Sequence, residues 1–318
     1  METTDLKKLA SILRQSNQYR VAEKYQKPEY YNVADDSDKL IGVFLDVETT
    51  GLSHTTDKII ELGMVKFEYT QDGRIFRVLD EFTGYQDPGL PIPEAITKLT
   101  GITDDMVKGH RINVNAVAAY LNDVNIIITH NAQFDRTFFE MTFPVIAPKP
   151  WGCLMDDINW KNEGISSRGL EYIAYKYNFF FEGHRAIIDC LVGIHILAQD
   201  LPISKELVLK RILTNSEALK FKLWATNSPY DRKDLLKARG YRWNMNQSDK
   251  HRAWSIELKE DKVAEEINYL RSEIYGCPIN IPVEVFDAYN RFSSRSEQLQ
   301  NSTKYQGKLE WVKMLCIK

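Results

Sequence analysis

The sequence predicts an α/β domain with a mixed central sheet over residues 40–202 and a smaller α+β region over residues 216–318. Three observations carry that expectation. Leu40-Ile41-Gly42-Val43-Phe44-Leu45 is a continuous apolar run of strand length, the pattern of a strand buried on both faces. Lys58–Tyr69 and Ile75–Phe82 are two further strand-like runs joined through the turn Gln71-Asp72-Gly73, which makes a β-meander. From Asn125 onward a short apolar run, NIIIT, is followed by helical stretches, and strands that begin to alternate with helices argue for a mixed sheet.

Before the first strand, residues 4–25 read as one amphipathic helix, with Leu6, Leu9, Leu13 and Val21 at near-helical spacing among Lys, Arg and Gln. Lys27–Asp38 reads as a polar linker, so residues 1–39 are expected to form a helix and linker ahead of the domain. Pro88–Pro93 is an extended loop. Short helical pieces follow at Glu94–Leu99, Asp104–Val107 and Val114–Leu121. Longer helices are expected at Ala132–Met141, Gly169–Tyr177 and Arg185–Gln199, with the domain closing near Asp200-Leu201-Pro202. The second region begins near Ser216. It is expected to hold a strand at Lys222–Ala225 and a charged helix at Tyr230–Arg239 ended by Gly240, a natural residue for the left-handed position after a helix. A hairpin from Tyr241–Asn244 and Ala253–Ile256 and helices at Asp261–Ile274 and Val283–Ser293 complete it.

Bulk properties exclude several function classes. The chain has 318 residues, enough for two domains, and no apolar run approaches the roughly 20 residues that span a bilayer. The opening METTDLKKLASILRQ has no apolar core and no small-residue cleavage site, so no secretory signal is expected. Cys153, Cys190, Cys277 and Cys316 are widely spaced and form no CxxC pair, which predicts free thiols and a cytoplasmic setting without membrane attachment. The net charge of −3 is unevenly placed: residues 1–210 hold 22 Lys and Arg against 30 Asp and Glu, a balance of −8, and residues 211–318 hold 19 against 14, a balance of +5. An acidic front suits cation capture and a basic rear suits an anionic partner.

The chemistry concentrates in three short segments. Asp46 and Glu48 stand two apart at the end of the buried strand, so both point to one side, and like charges so placed are explained by a cation between them, with a strand end running into solvent as the alternative. Asp135 lies in His130-Asn131-Ala132-Gln133-Phe134-Asp135, just after a strand and in the first turn of a helix, where an acid also suits the helix dipole. His184 and Asp189 are five steps apart, about 140° around a helix, and cannot share one helical face. The sensible geometry puts Asp189 on the helix and His184 in the loop before it. Carboxylate oxygens suit hard cations such as Mg²⁺ and Mn²⁺, and a neighbouring histidine can accept a proton from water near neutral pH.

Asp46-Val47-Glu48-Thr49-Thr50-Gly51, His130–Asp135 and His184-Arg185-Ala186-Ile187-Ile188-Asp189 resemble, in order, the three motifs of the DEDDh, DnaQ-like 3′→5′ exonucleases, a family that includes the epsilon proofreading subunit of bacterial DNA polymerase III and ribonuclease T. Leu99–Asp104 resembles a further segment of that family. The resemblance covers about residues 40–200. It implies a ribonuclease H-like fold and two divalent cations, Mg²⁺ or Mn²⁺, held by Asp46, Glu48, Asp135 and Asp189, with His184 as general base. It also implies a nucleic acid with a free 3′ end as substrate, Thr49 on the terminal 3′-hydroxyl and Leu52 wedged at the terminal base. Leu99, Thr100 and Phe134 are candidates for the base pocket, with core packing as their alternative. DNA is favoured over RNA. An RNA-end exonuclease and a non-catalytic nucleic-acid-binding accessory protein are the alternatives. Gln199-Asp200-Leu201-Pro202-Ile203 loosely resembles a sliding-clamp-binding peptide, against the plainer reading of a helix-to-linker junction.

In the rear, residues 220–254 hold nine Lys and Arg against three Asp, interleaved with Trp224, Tyr230, Tyr241, Trp243 and Trp254. Basic groups neutralise phosphates and aromatic faces stack on unpaired bases, so a nucleic-acid-binding module is expected there. A small domain with a tryptophan core is the alternative.

Overall fold

A strand with no polar face must be covered on both sides. That requirement organises the first of two units into which the chain divides, Met1–Asn215 and Ser216–Lys318. The structure is a computed structural model and describes residues 3–16, 18–244 and 252–295. Asp249, Lys250, His251 and Cys316 lie outside the described residues, as does the end of the second region.

In the first unit, helix α1 (Thr3–Arg14) and the short strand β1 (Glu23–Lys24) precede three longer strands, β2 (Leu40–Thr49), β3 (Ile59–Tyr69) and β4 (Ile75–Tyr85). Helices α2 (Glu94–Thr100), α3 (Asp104–Val107) and α4 (Val114–Tyr120) lead to β5 (Ile126–Thr129) and α5 (Ala132–Thr142). Then come β6 (Trp151–Cys153), α6 (Leu170–Lys176), β7 (Phe179–Phe180), α7 (Ala186–Leu197) and α8 (Val208–Glu217). The main sheet has the order β4-β3-β2-β5-β6. Its first three strands are antiparallel, and β5 and β6 are added parallel to β2. The expected mixed sheet flanked by helices is the observed one.

Side chains of β2 alternate between two cores. Val43, Leu45 and Val47 pack with Leu62, Phe138, Phe139 and Trp151 on the α5 side. Phe44 packs with Ile173, Cys190, Ile194 and Ile212 on the α7 side. Asp46 and Glu48 continue the Phe44 face and so emerge toward α7. Two glycines let α7 come close: a Cβ on Gly193 would lie 2.2 Å from the Phe44 ring, and one on Gly63 would lie 2.6 Å from the Ala186 carbonyl carbon.

Several elements differ from expectation. The first helix stops at Arg14 rather than running to residue 25. Past that point Ser16 Oγ accepts the Gln18 N–H, a local bond that competes with helix. The chain then turns extended, and Glu23–Lys24 pairs in parallel with Phe179–Phe180. The stretch read as a linker is tied down: Tyr31 N–H donates to Phe76 O at 2.8 Å, and Asn32 Nδ2 donates to Ile75 O at 2.7 Å. Strand β6 escaped notice because three residues are too few to show a period. Val208, Leu209, Ile212 and Leu213 of α8 belong to the α7-side core. Gln199–Ile203 is a turn in which Leu201 is fully buried and its N–H bonds Glu206 O, so it is not a free extended peptide. Among the described residues, no helix is long and apolar enough to cross a membrane.

The second unit is a four-stranded antiparallel sheet of order β11-β8-β10-β9, formed by β8 (Lys220–Ala225), β9 (Arg242–Trp243), β10 (Trp254–Lys259) and β11 (Val283–Phe286). A 3₁₀ turn (Tyr230–Arg232), α9 (Lys233–Ala238) and α10 (Glu260–Tyr269) complete it, with a wide helical turn over Leu270–Tyr275. The helix expected at Val283–Ser293 is instead β11 and a turn. Val283 and Val285 pair with Leu223 and Phe221, as β-branched residues on a sheet face do. Asp287 Oδ1 then accepts the Tyr289 N–H and ends the strand. Trp224 and Tyr241 are buried, and the Tyr241 hydroxyl donates to Glu266. The interleaved aromatics are therefore divided between core and surface.

Because Gly63 faces helix backbone that cannot rotate aside, Gly63→Ala is expected to cost about 1–3 kcal/mol. Thermal denaturation of the two proteins measures that loss.

Candidate active site

The register of β2 on β3 sets the site. Asp46 lies opposite Gly63 and Glu48 opposite Glu61, and the ladder shifts just after Glu48. Such a shift bends a strand and ends regular pairing. Helix α7 covers this corner, with Asp189 in its first turn. Ligand atoms of Glu48, His184 and Asp189 all lie within 4.8 Å of one another. His184 precedes the helix at φ 65°, a region that non-glycine residues seldom occupy. Its backbone N–H donates to Asp189 Oδ2 at 3.1 Å, so loop and helix are joined by the residue pair itself. The geometry inferred from the five-residue spacing is the one observed.

Asp135, almost fully buried at the start of α5, is anchored differently. Its Oδ1 accepts the Val47 N–H and its Oδ2 the Asn131 N–H, each at 3.3 Å. It stays outside the Glu48–His184–Asp189 group, yet its charge acts on Asp46 more than that of any other neighbour.

The electrostatics are those of crowded acids. Burial, then the charges of Asp135, Asp189, Glu48 and Glu61, push Asp46 well above the usual carboxylate range. Burial, then Asp189 and Glu61, raise Glu48 to about 8. Burial raises Asp135 and Asp189 to about 7, against the opposing effect of the backbone N–H groups each accepts. Asp189 Oδ1 is buried with no hydrogen-bond partner. An orphaned buried oxygen among unneutralised carboxylates fits a hard divalent cation, whose ligands are oxygens.

The remaining predicted residues fall into two groups. Leu52 is 86% exposed on the turn after β2, and Leu99 is half exposed at the end of α2. Phe134 is half buried and packs on Phe138 with ring centroids 4.8 Å apart. Thr49 and Thr100 are buried with hydroxyls engaged by backbone. Thr49 Oγ1 donates to Gly51 O at 2.6 Å; Thr100 Oγ1 donates to Ile96 O and accepts the Ile102 N–H. Burial lowers His130 to about 4, and His195 packs among the rings of Tyr25, Tyr31 and Phe179.

Sequence reasoning missed a clamp behind the site. Glu61 is fully buried and accepts two bonds from Arg185, at 2.9 and 3.3 Å, and the Ala186 N–H at 3.1 Å. Arg185 Nη2 also donates to the Tyr85 hydroxyl at 2.7 Å. The available signal was one acid inside the apolar run Ile59-Ile60-Glu61-Leu62-Gly63-Met64-Val65, since a buried charge needs a partner.

The exonuclease family model (RNase_T) matches residues 43–197, the segment that holds every one of these groups. Those residues belong to the exonuclease family. The exonuclease domain is similar to part of the DNA polymerase III PolC-type of Halalkalibacterium halodurans, 42% identical over 163 residues, covering 49% of this chain and 11% of the relative. The PolC-type protein of Staphylococcus epidermidis is 31% identical over 191 residues, covering 56% of this chain and 13% of the relative. The chain thus spans only 11–13% of the length of these relatives. Among solved structures, the nuclease domain of 3′hExo, a DEDDh family member bound to rAMP, overlaps with a TM-score of 0.44 at 18% identity, covering 54% of this chain and 97% of that one. The helix-flanked mixed sheet of residues 40–202 is the α/β architecture the sequence predicts, and the exonuclease match falls within it.

Two expectations follow for the exonuclease domain. The raised carboxylates bind more protons when folded than when unfolded, so without metal the domain loses stability as pH climbs from about 4 toward 8. Asp46→Asn should therefore raise the melting temperature in EDTA at pH 8 more than at pH 5. It should also diminish the stabilisation by Mg²⁺, about 2.7 kcal/mol for an intact site at a hundredfold excess over Kd. Separately, Glu61→Ala leaves Arg185 and the Ala186 N–H without their acceptor and should cost about 2–3 kcal/mol by denaturant titration.

Proposed function

We propose that the protein is a divalent-metal-dependent 3′→5′ exonuclease that removes 5′-mononucleotides from DNA ends. The observation that carries this reading is the convergence of Glu48, His184 and Asp189 within 4.8 Å beside the raised carboxyl of Asp46. Asp46, Glu48 and Asp189 would hold the metal, with Asp135 in support. Two bound Mg²⁺ or Mn²⁺ ions would lower the pKa of water and neutralise charge on the phosphate.

His184 accepts the proton as a water oxygen bonds to phosphorus, and the 3′-oxygen released when its bond to phosphorus breaks takes up a proton from water to become the new 3′-hydroxyl. Ligand atoms of Glu48 and Asp189 lie within 4.8 Å of the imidazole, so the base stands beside the metal ligands. The Asp189–His184 backbone bond and the Arg185–Glu61 clamp fix two successive residues where the histidine loop enters α7. Exposed Leu52, on the turn after β2, would meet the terminal base, and Thr49, the last residue of β2, would meet the 3′-hydroxyl. Leu99 and Phe134 supply apolar area for the base. DNA is preferred because the relatives at 31–42% identity are named as DNA polymerases.

A 3′-labelled oligodeoxynucleotide should release labelled mononucleotide only when Mg²⁺ or Mn²⁺ is added. The rate should rise with pH between about 6 and 8 as the carboxylates lose the protons that compete with metal. His184→Ala is expected to lower kcat by about 10²–10⁴, and Asp46→Ala to remove metal-dependent cleavage. Metal-independent release, or brisk cleavage by either variant, would sink the proposal.

A further inference from the structure

Packing of the second unit consumes some of its basic and aromatic residues and leaves others at the surface, where Lys233 also donates to the Tyr230 hydroxyl at 2.8 Å. Arg239 is spent: it bonds Glu266 at 2.9 Å and Glu265 at 3.4 Å and stacks on Tyr269. Trp224 and Tyr241 are buried. What remains forms a connected line. Tyr230 is 80% exposed, with Lys233 Nζ 4.0 Å from its ring centroid. Lys233 and Lys237 are four apart on α9, so they stand one above the other on one helical face. Lys237 Nζ lies 5.9 Å from the ring of Trp254, which is half-buried against the core of the unit, and that ring meets Trp243 edge-on at 5.6 Å between centroids. Trp243 is 48% exposed on β9, the edge strand of its sheet.

We infer that Tyr230, Lys233, Lys237, Trp254 and Trp243 form a binding surface for single-stranded nucleic acid. A soluble protein gains little by exposing a tyrosine and a tryptophan on either side of two ammonium groups unless a ligand uses both features. Unpaired bases offer faces that stack on aromatic rings, and the phosphates between them pair with lysines. A duplex offers phosphates but hides its base faces, so it meets only half of this surface. The carboxylates nearby do not cancel it. Asp234 pairs with Lys237 at 3.7 Å and Asp231 with Arg232 at 3.7 Å, all four side chains being well exposed, and such pairs are weak. The line runs from ring to lysine to lysine to ring, so two ammonium groups stand between aromatic faces, and a single strand offers phosphates to the first and base faces to the second. Stacking is indifferent to the sugar, so DNA and RNA single strands are both accommodated.

The test is fluorescence anisotropy of labelled dT15 and rU15 with the full chain in EDTA. Because no metal and no cleavage are involved, the result is independent of whether the exonuclease proposal holds. Binding should be tighter for single strands than for a matched duplex. Tyr230→Ala and Trp243→Ala should each weaken it about tenfold. Lys233→Gln and Lys237→Gln should each reduce the slope of log Kd against log salt by about 0.7. Tyr230→Ala alters an exposed ring outside the core, so it decides the matter if Trp243→Ala fails to fold by circular dichroism. Unchanged affinity in folded Tyr230→Ala, equal affinity for duplex, or absence of binding at low salt would overturn the inference.

Discussion

The approach of α7 to β2 and β3 is the constraint on which the exonuclease domain depends. Asp46, Glu48 and Asp189 repel one another, and a helix carrying one of them would settle farther away if packing allowed it. Two features prevent that. Gly63 leaves no Cβ between strand and helix, where one would lie 2.6 Å from the Ala186 carbonyl carbon. Glu61 bonds both the Arg185 guanidinium and the Ala186 N–H, so the start of the helix is tied to the neighbouring strand. Close packing in the core behind them, Phe44 against Gly193, sets the same distance a second time. The fold therefore holds the acids together against their own electrostatics, which is the condition for a site that a cation completes.

The buried acids of this corner divide by what their oxygens touch. Glu61 spends both oxygens on the start of α7, and Asp135 spends both on backbone N–H groups of Val47 and Asn131. These two are bonded to structure, whatever else they do. Asp189 gives one oxygen to the His184 N–H and keeps the other buried and unpaired. A side chain with one committed and one open oxygen is oriented yet still able to bind. The same contact makes His184 part of the scaffold through its backbone, while its imidazole has no such tie among the described residues.

The sequence was most legible where periodicity and chemistry coincide. β2 announced itself by unbroken hydrophobicity, and the two-residue step from Asp46 to Glu48 carried over to a shared face because nothing interrupts the strand between them. The angular mismatch between His184 and Asp189 placed one before the helix and one on it. Errors arose where a tertiary contact decides the local state. Val283–Phe286 is a strand because β8 offers it an edge, and no helical or strand period over four residues could have settled that. Residues 18–25 do not continue the helix because β7 and the groove beside α7 receive Glu23, Lys24 and Tyr25. Glu61 was passed over because one acid in an apolar run reveals that a partner exists without saying which. Arg185, 124 positions on, was hidden inside a motif read only for its histidine and aspartate.

Composition and folded structure weigh the second unit differently. Its excess of basic and aromatic residues was a single signal in the sequence, but folding consumes part of it: Trp224 and Tyr241 fill the core, and Arg239 is neutralised by two glutamates. A net charge counts such groups equally with free ones. What survives burial is a smaller set ordered by α9 and the edge of the sheet, where two ammonium groups lie between aromatic rings. Placement matters more than abundance, because a stacking partner must stand within reach of a phosphate partner along one strand. The surface reading is thus narrower than the compositional one, and it names the residues whose loss would be felt.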